Sequence, residues 1–357
     1  MSILGIDHVE FYVEDLRAAA APLCRDYGFT DAGPLDLGDQ PGARSLLLRQ
    51  GTIALLLTAA GALDHPAAGY LARHGDGVAS IAFRTDDVVK AFDRAVAGGA
   101  RPIASPAFTG DGGRDRLGVA VVSGFGDVTH RLVERAGSGS AAGTPAGMFQ
   151  VLDHIAICLP SGEITATVRL YKDAFGFSDV FDERIEVNGQ AMISKVVQDE
   201  AGAATFTLIE PDPNLDAGQI DEFLDRHGGA GVQHLALRTA DIARAVRTLS
   251  GRGVEFLAAP AGYYRRLGPR LGALAIAVDV LREVNVLADR DKWGELFQIF
   301  ARSTHERGTF FIELIERRGA LTFGSGNIKA LYEALGEEQG SKAPAALRGT
   351  DSGPRAD

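Results

Sequence analysis

Along the chain, apolar positions switch repeatedly between a period of two and a period of three to four, and the switches occur in matching places in the two halves. "GIDHVEFYV" (5–13) alternates like a strand and runs into the helical pattern of "EDLRAAAAPLCRDYGF"; "VLDHIAICL" (151–159) does the same before "SGEITATVRLYKDAFGF". Further on, "HGDGVASIAFRTDDVVKAFDRAVAGGA" (74–100) parallels "HGGAGVQHLALRTADIARAVRTLSGRGV" (227–254) through a strand, a polar turn and an amphipathic helix that ends at glycines. The halves also close alike: "VTHRLVER" (128–135) matches "FIELIER" (311–317) when Glu134-Arg135 is laid on Glu316-Arg317. Each half therefore reads as a strand, a helix and further strands, followed by a similar unit. The pattern predicts an α+β fold of curved mixed sheets with helices on their outer faces.

Between the copies, "AGSGSAAGTPAG" (136–147) has no hydrophobic period and reads as a flexible linker. The expected division is an N-terminal domain over 1–135, a linker over 136–149 and a C-terminal domain over 150–338. A tail over 339–357 lacks the apolar density to pack and is expected to be disordered.

Composition narrows the function. The chain has 357 residues, 46% of them apolar, which suffices for two cores. A net charge of −11 argues against nucleic acid as a partner, because phosphate binding needs a concentrated basic surface. No apolar run approaches the roughly 20 residues of a membrane span, and the N-terminus lacks a signal-peptide pattern. With only Cys24 and Cys158, no disulfide framework is available. A cytoplasmic location is the expectation.

The repeat itself exposes the chemistry. Three predicted strands of the C-terminal half carry His154, His234 and Glu313 at their centres, where the N-terminal half has His8, Ser80 and Arg131. One copy holds two imidazoles and a carboxylate. The other has lost an imidazole and placed a cation where the carboxylate would be, which repels a metal. A single buried histidine is usually a hydrogen-bonded core residue, and His8 is read as such. Two histidines and a carboxylate on one face, with positions left open, is the arrangement of non-haem Fe(II) oxygenases. Zinc accepts the same donors, so the triad alone leaves the metal open.

Other candidates fail on geometry. Cys158 shares a strand face with His154 but lies four residues away, about 13 Å at roughly 3.3 Å per residue, and is read as a core thiol. "HERGT" (305–309) has Thr309 where a zinc-protease motif needs its second histidine, so His305 is read as a loop residue. His65, His74, His130 and His227 are assigned surface or structural roles. "GSGN" (324–327) lacks the spacing of a nucleotide-binding loop.

The segments "LDHIAI", "GQIDEFL", "GVQHLAL", "LFQIF", "FFIELIERRGA" and "FGSGNIKALYEA" resemble the α-keto-acid-dependent dioxygenases of the vicinal oxygen chelate superfamily. That family includes 4-hydroxyphenylpyruvate dioxygenase and 4-hydroxymandelate synthase, and the likeness spans about residues 5–338. It implies two tandem vicinal-oxygen-chelate domains of paired βαβββ units, a degenerate N-terminal copy, and Fe(II) on His154, His234 and Glu313. The implied partners are 4-hydroxyphenylpyruvate and O2, and a homodimer is compatible with the family.

The two activities differ in which substrate carbon is hydroxylated after oxidative decarboxylation. Homogentisate-forming members typically read I-P-x-N-E-P where this chain has "FTLIEP" (206–211), so Thr207 replaces a proline and Ile209 an asparagine. In "TFGSGNIKA" (322–330), Ile328 stands where they carry a second phenylalanine. These differences favour the benzylic hydroxylation that yields 4-hydroxymandelate, a precursor of 4-hydroxyphenylglycine for peptide antibiotics. By resemblance, Ser194, Gln219 and Gln298 are polar substrate contacts, and Phe300 and Phe323 pack near the ring. The segment from Asn327 to about Gly336 has helical spacing suited to a lid. Two other readings share much of this pattern: a metal-free binding protein of the superfamily and the homogentisate-forming dioxygenase. Iron content and reaction product distinguish them.

Overall fold

The computed structural model describes residues 3–329 apart from 36, 38–41, 63, 111–115, 136–146, 188, 260, 325 and 328. Most of the expected linker, Ile328, nearly all of the expected lid, and the C-terminal tail lie outside the described residues. In the first half the chain runs β1 (Ile3–Tyr12), α1 (Leu16–Arg25), β2 (Thr30–Asp31), β3 (Arg44–Gln50), β4 (Ile53–Ala59) and α2 (Pro66–His74). It continues through β5 (Gly77–Thr85), α3 (Val88–Ala97), β6 (Pro102–Thr109), β7 (Leu117–Ser123) and β8 (Thr129–Arg135). The second half begins with β9 (Val151–Cys158), α4 (Ile164–Phe175), β10 (Ser178–Val187), β11 (Gln190–Gln198), β12 (Thr205–Pro211), α5 (Gln219–His227) and β13 (Gly231–Arg238). It ends with α6 (Ile242–Gly251), α7 (Ala261–Leu271), α8 (Val278–Glu283), β14 (Leu287–Arg290), β15 (Glu295–Phe300) and β16 (Phe311–Arg318).

Each half is one eight-stranded sheet of two βαβββ units, ordered β2-β3-β4-β1-β5-β8-β7-β6 and β10-β11-β12-β9-β13-β16-β15-β14. The central strands are antiparallel (β1 with β5, β9 with β13), and each is flanked on its other side by a parallel partner. Strand period two therefore sends one residue set to each face. The even set of β9, His154 and Ala156, lines the concave face, while Ile155 and Ile157 enter the main core. Helices α7 and α8 are an insertion of the second half, since only four residues separate α3 from β6.

The repeat extends to the helix ends. Asp87 and Asp241 cap α3 and α6 by accepting from the N–H groups of Lys90 and Arg244. Glu134 and Glu316, on β8 and β16, accept from the N–H groups of Val88 and Ile242, satisfying a donor of each helix that has no partner within it. That is one reason both halves end in Glu-Arg; the arginines have a separate task described below.

The helix-bearing faces of the two sheets meet, so the expected outer faces are where the halves join. Phe83 of β5 packs against Phe175, Phe177 and Phe206 of the second half. The buried His130 ring lies 3.0 Å from the Tyr171 hydroxyl. A Cβ at Gly98 would come within 2.4 Å of the Ala174 backbone nitrogen, so the contact of α3 with α4 requires glycine. Residues 147–149, at the end of the expected linker, lie against the first sheet: Phe149 is fully buried and donates its N–H to Gln50 at 2.7 Å.

Candidate metal centre

His154, His234 and Glu313 project from β9, β13 and β16, three neighbouring strands at the middle of the second sheet. One donor atom from each lies within 4.8 Å of the other two. The register explains this. His154 pairs with Ala236 across β9 and β13, Ala236 lies beside Glu313 across β13 and β16, and His234 pairs with Ala156. Small alanines between the donors let the side chains converge over the sheet.

Two β-bulges aim the imidazoles. The ladder steps from His154↔Ala236 to Leu152↔Leu237, leaving Asp153 as an extra residue on β9, and from Val232↔Ile157 to His234↔Ala156, leaving Gln233 extra on β13. Such an extra residue re-aims its neighbour. Each of these two also holds the histidine that follows it: His154 Nδ1 donates to Asp153 at 3.0 Å and His234 Nδ1 to Gln233 Oε1 at 3.3 Å. Both Nε2 atoms are left facing Glu313 Oε2, at 3.4 and 3.2 Å.

Burial raises the Glu313 pKa, but the two imidazoles outweigh it and hold the carboxyl at about 2. His154 is lowered by burial, yet Glu313 and Asp153 push it up to about 9. His234 faces the same carboxylate oxygen but moves the other way, because burial prevails where the second neighbour is a neutral amide. Glu313 Oε1 is buried without a hydrogen-bond partner. One carboxylate facing two Nε2 atoms, with its other oxygen unsatisfied, fits a divalent cation that would take three protein ligands and keep positions open.

The first half shows the same frame without the donors. Asp7 is a bulge residue that accepts from His8 Nδ1 at 2.8 Å, but Ser80 and Arg131 occupy the places of His234 and Glu313. The Arg131 guanidinium donates to Glu10 at 2.6 Å, and Glu10 also accepts from Thr58 at 2.7 Å. A buried ion pair thus lies where the second half gathers its donors.

Most of the other expected site residues share the concave face with the triad. Phe300 pairs with Glu313 across β15 and β16, and its ring centre lies 6.3 Å from that of His234. Phe323 meets the His154 ring edge-on at 5.2 Å. Gln298 is buried and accepts from the Asn327 amide at 3.3 Å. Thr207 pairs with Ala156, and its hydroxyl is buried without a partner. Ser194 pairs with Ile209, which packs with Cys158, Met192, Ile220 and Phe223 into an apolar end wall. Gln219 departs from the expectation: it is exposed at the start of α5, which turns Ile220 and Phe223 inward instead.

Cys158 is fully buried and outside the donor set, and His305 is in a loop, as expected. His65, His74, His130 and His227 are all buried, so their roles are structural and none is at the surface. His74 and His227, for example, stack across the two halves at 4.4 Å. A cavity of about 350 Å³ between the halves is lined by Leu235, Leu237 and Ile312, which alternate with His234 and Glu313, so the sheet separates it from the donors. Sequence reasoning missed Asp153, Gln233, Arg238 and Arg317. The repeated Asp-His and Glu-Arg pairs were the available signal for Asp153 and Arg317.

Comparison with known proteins agrees with this geometry. Residues 1–149 match the family model "Hydroxyphenylpyruvate dioxygenase, HPPD, N-terminal", and residues 153–268 match "Glyoxalase/Bleomycin resistance protein/Dioxygenase superfamily". The chain is 30% identical over 364 residues to the 4-hydroxyphenylpyruvate dioxygenase of Xenopus tropicalis, covering 95% of this chain and 92% of that protein. It is 33% identical over 390 residues to that of Aspergillus fumigatus, covering 98% and 94%. A solved structure of a triply substituted 4-hydroxymandelate synthase from Streptomyces coelicolor matches with TM-score 0.85 and 44% identity, over 95% of this chain and 100% of that one.

Proposed function

The chain belongs to the 4-hydroxyphenylpyruvate dioxygenase family, and we propose that within it the protein converts 4-hydroxyphenylpyruvate and O2 to 4-hydroxymandelate and CO2. The carrying observation is the convergence of two Nε2 atoms and one carboxylate on the concave face, beside an apolar wall that includes Ile209. The 44% identity to a synthase, against 30% and 33% to the two dioxygenases, supports the benzylic outcome.

Fe(II) held by His154, His234 and Glu313 would supply the activation of O2 for decarboxylation and hydroxylation. The remaining work falls to the chain. By accepting a hydrogen bond from Nδ1–H, Asp153 and Gln233 hold each imidazole in the tautomer whose Nε2 can coordinate. Phe300 and Phe323 shield the donors from water. The buried Thr207 hydroxyl, with Ser194 and Gln298, offers polar contacts to the substrate. The apolar residues around Ile209 receive its ring and, lacking an amide there, let the CH2 rather than ring C1 approach the reacting oxygen. Of the two oxygen atoms, one enters the new carboxylate as CO2 leaves, and the other enters the benzylic C–H bond.

The test is aerobic turnover with Fe(II), with products separated by chromatography. 4-Hydroxymandelate is expected. Homogentisate as the main product would overturn the regiochemistry, and unchanged iron content and turnover in Glu313→Ala would overturn the site.

A further inference from the structure

Arg317 joins two regions that the strand ladder does not connect. Its Nε and Nη2 donate to both oxygens of Asp153 at 2.8–3.1 Å, and its Nη1 donates to the carbonyls of Ala320 at 3.2 Å and Thr322 at 2.6 Å. The guanidinium lies 5.0 Å from the centre of the Phe323 ring, which in turn meets the His154 imidazole. With the Asp153–His154 hydrogen bond, these contacts close a circuit through His154, Asp153, Arg317 and Phe323. Arg238 also donates to Asp153, but only to Oδ2, and its side chain is 41% exposed against 10% for Arg317. Arg317 is therefore the guanidinium that holds Oδ1, the oxygen facing the ligand ring.

We propose that Arg317 is a positioning residue that couples the aim of His154 to the placement of the chain following β16, so that one guanidinium sets both a metal ligand and the aromatic wall beside it. This rests on the reading of the triad as a metal site. Arginine suits the task because its planar fork carries five donors in fixed directions, whereas lysine is a compact charge that can pair with Asp153 without also spanning the carbonyls. In the first half Arg135 makes the same bidentate contact with Asp7, at 2.9 and 3.0 Å. The arginine–aspartate pair is thus a feature of the repeat, and the grip on residues 320–322 is what ties it to the substrate side of this site.

The probe is Co(II), titrated into metal-free protein and followed by its visible absorption, beside steady-state turnover of 4-hydroxyphenylpyruvate with Fe(II). Arg317→Gln is expected to weaken Co(II) binding about ten- to hundredfold and to alter the band shape. Arg317→Lys keeps a cation at Asp153, so its Co(II) affinity should stay within about threefold of wild type. Its KM should nonetheless rise about tenfold, the scale of a lost hydrogen bond. Wild-type Co(II) affinity and spectrum in Arg317→Gln would overturn the proposal, as would an Arg317→Lys variant with wild-type affinity and wild-type KM. Should Arg317→Gln fail to fold, the lysine variant carries the test. Wild-type protein that binds no Co(II) would instead overturn the metal-site reading.

Discussion

Replacing Arg131 by methionine tests what holds the first half together at the position equivalent to Glu313. The Arg131 and Glu10 side chains are 3% and 1% exposed, and their contact is 2.6 Å. Burial alone would raise the Glu10 pKa, but Arg131 and the Thr58 hydroxyl hold it below its ordinary value. Methionine keeps the apolar stem while deleting the charge, leaving Glu10 buried without this cation. Breaking a buried pair this way costs about 3–5 kcal/mol. At roughly 3 °C per kcal/mol for a domain of this size, the melting temperature should fall by about 10 °C. Adding Glu10→Leu should recover most of the loss, because the Glu10 carboxylate is then no longer buried without its cation and Thr58 keeps Ser45 within 3.0 Å. Turnover below the melting transition should match wild type in both variants, since the proposed metal ligands belong to the other sheet. Thermal unfolding followed by circular dichroism, with turnover measured well below each midpoint, makes the comparison. A single-variant loss below about 1 kcal/mol would refute the buried-pair argument. Loss of turnover without loss of stability would refute the structural role of this half.

Two further outcomes follow from the same geometry. His130 is fully buried and its pKa is pushed down to about 4, against about 6.5 unfolded, so the unfolded chain binds more protons between these values. Its contribution should be complete above about pH 6.5 and decline by about 3 kcal/mol as pH falls through 4; urea midpoints measured across this range should lose that slope in His130→Phe, and an unchanged slope would refute the assignment. Ile209→Asn, alone or with Ile328→Phe, should preserve decarboxylation and divert part of the product to homogentisate, since about 1.4 kcal/mol between the two barriers changes the ratio tenfold. Chromatography at equal O2 consumption that finds only 4-hydroxymandelate in both variants would show that other residues set the outcome.

The sequence by itself determined the duplicated strand–helix pattern, because period two and period 3.6 are local properties that survive without neighbours. It also singled out the three proposed ligands: laying His8, Ser80 and Arg131 against His154, His234 and Glu313 needs only the repeat, and the strand register shows those positions to be equivalent. What supports the donors was decided in three dimensions. A one-residue bulge at Asp153 or Gln233 depends on which partner residue the ladder skips, and a single inserted position leaves little trace in a hydrophobic period. By resemblance Gln219 reads as a polar substrate contact, but the side of α5 that is buried is set by the packing of Ile220 and Phe223 against Ile209 and Met192. Likewise His74, His130 and His227 found structural roles only when the two halves met, where His74 stacks on His227 and His130 reaches the Tyr171 hydroxyl. Arg317 and Asp153 are 164 positions apart in the chain. Their contact exists because β9, β13 and β16 lie side by side and the bulge turns Asp153 toward the guanidinium, an arrangement that folding sets and no local pattern records.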